Sequence, residues 1–274
     1  MDIQTYTYRY TQKHKRRAAK MKEVIAIVNR RGGAGKTVTA HAIGAGLRRK
    51  GYKVLFIDLD SQCNLTYDLG VDDAPISTYS LLTGSHNALE AIIETDQGDL
   101  LAGSPALSNA DIAITGTGKE YRLKEAIEPL KPFYDFFIID TPPALGALTV
   151  NALTAADSLI IPAQAEIHSL QGIGLLNGAI EAVRRYTNPN LKIKGILITR
   201  YNQRTILSRD MKTNLEKVAA GLNTKVFKRP IRENISVKEA QAMRTDIFTY
   251  APKSNAAKDY SALIEEIDKG RATT

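Results

Sequence analysis

From Val24 onward, short runs of β-branched and other apolar residues alternate with stretches whose apolar positions recur at helical spacing. The runs Val24–Asn29, Lys53–Asp58, Asp99–Ala102, Asp135–Asp140, Ser158–Pro162, Lys192–Thr199 and Lys225–Phe227 predict strands. Helices are expected over Thr37–Lys50, Lys119–Leu130, Ile167–Tyr186, Ile206–Ala220 and Lys253–Lys269. Near-continuous apolar strands separated by helices specify an α/β fold, a single doubly wound, mostly parallel sheet with helices on both faces. No internal repeat or linker divides the pattern, so residues 24–274 read as one domain. Residues 1–23 lack this periodicity and read as a basic tail carrying Tyr6, Tyr8, Tyr10 and the run Lys13-His14-Lys15-Arg16-Arg17.

Charge sharpens that division. Residues 1–23 hold seven Lys/Arg against two Asp/Glu, residues 24–183 eleven against eighteen, and residues 184–274 nineteen against nine, which gives +5, −7 and +10. An acidic body with basic ends suits a polyanionic partner. The apolar runs are too short to span a bilayer and the N-terminus has no secretory h-region. One cysteine, Cys63, excludes an internal disulfide framework or a four-cysteine cluster within one chain. A cytoplasmic protein is the expectation.

Chemistry concentrates where the first strand meets its helix, in Asn29-Arg30-Arg31-Gly32-Gly33-Ala34-Gly35-Lys36-Thr37. Three glycines in four residues free the backbone to turn its N–H groups inward at a helix N-terminus, a nest for phosphate. Lys36 can reach the β- and γ-phosphates, and the Thr37 hydroxyl can ligate Mg²⁺. Contacts to ATP are expected from Gly32, Gly33, Ala34, Gly35, Lys36, Thr37 and Val38. The common phosphate-loop spacing asks for glycine where Arg30 stands. The second strand ends in Asp58-Leu59-Asp60-Ser61-Gln62-Cys63-Asn64, two acids at i, i+2 that share one face of the strand. The strand Phe136–Asp140 ends in one acid, the Walker B form, in which Asp140 holds the Mg²⁺ shell.

The loop resembles the deviant Walker A motif, Lys-Gly-Gly-x-Gly-Lys-Thr, of the ParA/MinD superfamily of P-loop ATPases. Asp58 to Asn64 resembles that family's switch I, with serine in place of proline, and Thr141-Pro142-Pro143 its switch II. The resemblance implies that Asp60 positions the attacking water and that Asp58 lies near Lys36 and the metal's water shell. It also implies a catalytic contact to a partner's phosphates by the first motif lysine, a position taken here by Arg31, which keeps the charge and adds a planar fork. Thr199-Arg200-Tyr201-Asn202 is similar to the strand–loop that contacts adenine in MinD relatives, implicating Arg200 and Asn202. Arg229-Pro230-Ile231-Arg232-Glu233-Asn234 with Glu239-Ala240 resembles the Pro-Arg-Asn…Glu-Ala segment of ParA proteins, although Pro230 does not align.

Within the superfamily the resemblance is to ParA/Soj-type partition ATPases without an N-terminal helix-turn-helix. The acidic polar face of residues 260–269 disfavours a MinD-like membrane helix, and nitrogenase iron proteins need cluster cysteines. ParA membership implies an ATP-bound homodimer that binds DNA non-specifically, associates with the nucleoid, and hydrolyses ATP slowly until a ParB-like centromere-binding protein stimulates it. Candidate DNA contacts are Lys15, Arg16, Arg17, Lys228, Arg229, Lys238 and Arg244. The alternative is a ParA-like positioning or regulatory ATPase whose cargo is a protein assembly or conjugation machinery.

Overall fold

Alternate residues of the central apolar runs enter two different cores. Val24, Ala26 and Val28 join one, Ile25 and Ile27 the other; Leu55 and Ile57 separate from Val54 and Phe56 in the same way, as do Phe137 and Ile139 from Phe136 and Ile138. This is the period-two consequence of a pleated strand buried on both faces. The computed structural model describes residues 22–269. Its strands are β1 (Glu23–Ile27), β2 (Val54–Asp58), β3 (Ile92–Thr95), β4 (Gly98–Leu101), β5 (Phe136–Asp140), β6 (Ser158–Gln164) and β7 (Lys192–Thr199). They form one sheet in the order β3-β4-β2-β5-β1-β6-β7, parallel except for the antiparallel pair β3–β4 at one edge.

The longer helices cover both faces, as the sequence pattern requires. We label those of eight residues or more α1 (Lys36–Arg49), α2 (Ala147–Ala155), α3 (Ile167–Tyr186), α4 (Ile206–Gly221), α5 (Ile235–Ala242) and α6 (Asn255–Lys269). Residues of α2, α3 and α4 pack into the core that contains Val24, and residues of α1, α5 and α6 into the core that contains Ile25. Helix α1 is clamped tightly. A Cβ on Gly44 would lie 2.1 Å from the Phe56 ring, and one on Gly46 1.9 Å from Ile264. Only glycine lets α1 approach β2 on one side and α6 on the other. Helix α6 buries Tyr260, Leu263, Ile264 and Ile267, while Glu265 and Asp268 pair with Lys50 and Glu266 with Lys225. Among the described residues no helix is long and apolar enough to cross a membrane.

Two expectations are corrected. Lys225–Phe227 is no strand of the sheet; Val226 makes only an isolated bridge to Ile196. Lys119–Leu130 is broken into 3₁₀ turns flanking a helix at Arg122–Ile127, and Pro129 lies in the final turn, where its missing N–H stops α-helical bonding. The edge strand β3 adds to the set.

The topology fixes the place for a ligand. β1 lies between β5 and β6; the chain leaving β1 passes through α1 to β2 on one side, while the chain leaving β5 passes through α2 to β6 on the other. Such a reversal opens a crevice beyond the carboxyl ends of the strands.

Candidate nucleotide site

That crevice receives the glycine-rich loop. Gly33 (φ 73°) and Gly35 (φ 89°) sit in the left-handed region that side chains with a Cβ avoid. Neighbouring strands hold the loop by its carbonyls: Gln164 Nε2 donates to Gly33 O at 2.6 Å and Thr199 Oγ1 to Ala34 O at 2.9 Å. Buried Asn29 anchors the entry, accepting the Arg31 N–H on Oδ1 at 2.9 Å and donating through Nδ2 to the Pro162 carbonyl. Among the described residues, by contrast, no acceptor takes the main-chain N–H groups of Gly32 to Thr37. A Cβ on Gly32 or Gly33 would meet nothing within 4 Å, so open space adjoins these amides. Unbonded N–H groups around open space at the start of a helix suit a phosphate chain.

Charge in the pocket is arranged around Lys36, which is 6% exposed. Burial pulls its ammonium below the ordinary lysine range, opposed by the negative charges of Asp140 and Asp60. Nζ bonds only weakly to Arg31 O, at 3.4 Å. Thr37 Oγ1 donates to Asp140 Oδ2 at 2.6 Å, whereas Asp140 Oδ1 is buried with no partner. Burial first, and then the neighbouring Asp58 charge, push the Asp140 carboxyl well above the usual carboxylate range. A fully buried acid with an orphaned oxygen beside a threonine hydroxyl fits a divalent cation. Among the described residues no three His, Cys, Asp or Glu side chains converge as a metal cluster.

The two switch I acids differ. Asp58 accepts Asp60 N–H on Oδ1 at 3.0 Å and both the N–H and Oγ1 of Thr66 on Oδ2, at 2.9 and 2.8 Å. Burial raises its pKa to about 6 despite these bonds. Both oxygens therefore anchor the 60–66 turn, and Asp58 stands beside Asp140 in the sheet, while the negative charges of Asp140 and Asp60 favour the Lys36 ammonium. Asp60 is 7% exposed, and among the described residues its carboxylate accepts Gln62 N–H alone, on Oδ1 at 3.0 Å.

Beside the loop lies a small cleft bordered by Gly35, Val38, Thr199, Arg200, Ile231, Arg232, Glu233, Asn234, Val237, Lys238, Gln241 and Tyr260. It contains Arg200, which turns the chain with φ 48°. Asn202 and Pro230 are not among its lining residues; Asn202 Oδ1 instead accepts Arg204 N–H at 3.1 Å. Arg31 pairs within its own chain with Glu166 Oε2 at 2.6 Å, both side chains partly exposed. Glu166 and Gln164 stand outside the sequence motifs, whereas Thr199 and Arg232 lie within the two segments that resemble family motifs. A signal existed for both, since they end or follow β6 on the side where ligands bind.

The DNA candidates differ in their surroundings. Lys228 and Arg229 are exposed, and Lys238 lies at the cleft mouth. Arg244 is committed internally, over the Tyr67 ring at 4.4 Å, to Tyr67 O at 2.9 Å and to Asp72 at 2.9 Å. Lys15, Arg16 and Arg17 lie outside the described residues.

Comparison with known proteins accords with this geometry. A family model described as an AAA domain matches residues 22–193. The Bacillus subtilis sporulation initiation inhibitor protein Soj is 37% identical over 252 residues, 90% of this chain and 98% of its own. The Thermus thermophilus chromosome-partitioning ATPase Soj is 38% identical, over 89% and 94%. The chain belongs to the ParA/MinD family of ATPases. A solved Mycobacterium smegmatis structure described as cobyrinic acid a,c-diamide synthase is 36% identical with a TM-score of 0.78, covers 89% of this chain and 93% of its own, and was crystallised with magnesium and ADP or an ATP analogue. This ParA-family ATPase thus takes ATP and Mg²⁺ and hydrolyses the nucleotide. When bound, Mg²⁺ neutralises charge on the transferred phosphoryl group. Around this crevice stand the loop amides, Lys36, the Thr37–Asp140 pair and Asp60, the groups that would hold the phosphates, the cation and the attacking water.

Proposed function

We propose that this ATPase is a DNA-partition switch: bound to ATP it dimerises and coats nucleoid DNA without sequence preference, and a ParB-like partner stimulates its slow hydrolysis. The observation that carries the reading is the near full-length similarity to Soj proteins, one of them a chromosome-partitioning ATPase, in a chain that retains the loop, Asp60 and Asp140 in one crevice. The +10 balance of residues 184–274 supplies cations for phosphate, Lys228 and Arg229 among them. Arg244, already paired, contributes least.

Random duplex should be retarded in an electrophoretic mobility assay with ATP, and the shift should fade as salt rises. Equal shifts with ATP, ADP and no nucleotide would overturn nucleotide gating. Arg31 is the group proposed to act across the dimer, leaving Glu166 for the partner's phosphates. A partly exposed ion pair contributes about 0–1 kcal/mol, so releasing it costs little. Arg31→Ala should then reduce the ATP-dependent mass increase seen by light scattering, and an undiminished dimer would remove Arg31 from the interface chemistry.

A further inference from the structure

Arg244 holds left-handed backbone, φ 51°, just past the end of α5. Its N–H closes on Gln241 O at 2.9 Å and Thr245 N–H on Ala240 O at 3.0 Å, a turn that helices usually give to glycine. A side chain there is strained, and such strain persists only where surrounding contacts impose it. Those contacts lie on the segment that follows switch I. Arg244 Nε donates to Tyr67 O at 2.9 Å, Nη1 pairs with Asp72 at 2.9 Å, and the guanidinium lies 4.4 Å from the centre of the Tyr67 ring. Neighbouring amides brace the same junction. Gln97 Nε2 donates to Arg244 O and to Asp68 O, each at 3.0 Å, and Gln241 Nε2 donates to buried Asp68 Oδ2 at 3.0 Å.

From Tyr67 the connection runs to Asp60 through the main chain. Tyr67 N–H donates to Cys63 O at 2.9 Å, and Cys63 N–H donates to Asp60 O at 2.9 Å. Cys63 is itself left-handed, with φ 53°. The turn that carries Asp60 is therefore pinned twice: by Asp58 through Thr66, and by Arg244 through Tyr67. An arginine committed to a carbonyl, a carboxylate and a ring of its own chain, with Nη2 buried, has little left for DNA phosphate.

We infer that Arg244 is a positioning residue for ATP hydrolysis: by holding Tyr67 it fixes the turn that sets where Asp60 meets the attacking water. The inference rests on the reading of Asp60 as the group that orients that water. Misplacing a reacting group by about 1 Å can cost on the order of a hundredfold in rate, so a clamp remote from the phosphates can control turnover without touching the nucleotide. The clamp uses the arginine fork and plane together: Nε for the carbonyl, Nη1 for the carboxylate, and the flat face for the ring.

The test sets single-turnover hydrolysis beside equilibrium binding of labelled ATP, with Mg²⁺, and thermal melting. Arg244→Gly removes the clamp at a position whose backbone suits glycine, so the melting temperature should hold. Its hydrolysis should slow about tenfold while ATP affinity changes less than about twofold. Arg244→Lys keeps the charge without the fork and should stay slow; with Tyr67→Ala it decides the matter if the glycine variant does not fold. Tyr67→Ala should slow hydrolysis by itself yet add little to Arg244→Gly, because its partner is already gone. Wild-type hydrolysis by Arg244→Gly or Arg244→Lys, a loss of ATP affinity that matches the loss of rate, or fully additive losses in the double variant would overturn the clamp. Asp60→Ala tests the reading beneath it: wild-type hydrolysis by that variant would remove the reading itself, whereas slow Asp60→Ala beside fast Arg244→Gly would overturn the clamp alone.

Discussion

Lys36→Ala is expected to abolish measurable ATP turnover and to weaken ATP binding by roughly a hundredfold, the scale of a lost charge-assisted contact to phosphate. The lysine is buried against Asp140 and Asp60, and burial alone disfavours its charge. An incoming triphosphate supplies the counter-charge that burial withholds from the ammonium. Removing the side chain leaves two acids facing a polyanion without their cation. Phosphate release measured beside equilibrium binding of labelled ATP would check this; turnover at the wild-type rate would overturn the assignment of the loop.

The second large effect separates chemistry from binding. Asp60→Ala should bind ATP within a few-fold of wild type yet hydrolyse it on the order of a hundredfold or more slowly, the range associated with losing a group that orients or deprotonates the nucleophile. The structural basis is the contrast with Asp58, whose oxygens are consumed by Asp60 N–H and Thr66. Among the described residues the Asp60 carboxylate accepts Gln62 N–H alone, through Oδ1, which leaves Oδ2 for water. Because Asp58 organises the same turn, Asp60→Ala leaves the anchor in place and the variant should accumulate in the ATP-bound state. Single-turnover kinetics that match wild type would exclude Asp60 from the hydrolytic step.

Features local in sequence were legible, and those made by distant contacts were not. The runs Val24–Asn29, Asp135–Asp140 and Lys192–Thr199 announced strands because their side chains are apolar on both faces, and Gly-Lys-Thr after the first of them announced the loop. The four residues of β3 include Glu94 and Thr95, too short and too polar to stand out. Helix α2 was missed for the opposite reason: seven of its nine residues are buried, so it shows little amphipathic contrast. The bond that steadies Gly33 comes from Gln164, 131 residues away, and the one that steadies Ala34 comes from Thr199, 165 residues away. Arg232 meets Asp259 across 27 residues that include two helices. Asn202, read as a base contact from its amide, accepts the Arg204 N–H on Oδ1, a local turn contact that the sequence does not announce.

The glycine pair in α1 has a mechanical consequence. With Phe56 against Gly44 and Ile264 against Gly46, the helix behind the phosphates is wedged and has no room to recoil when a nucleotide arrives. Displacement must then be taken up by the segments following β2, β5 and β6, which carry Asp60, Pro142 and Glu166, so the rigid wedge directs the signal of occupancy outward, toward whatever those segments touch.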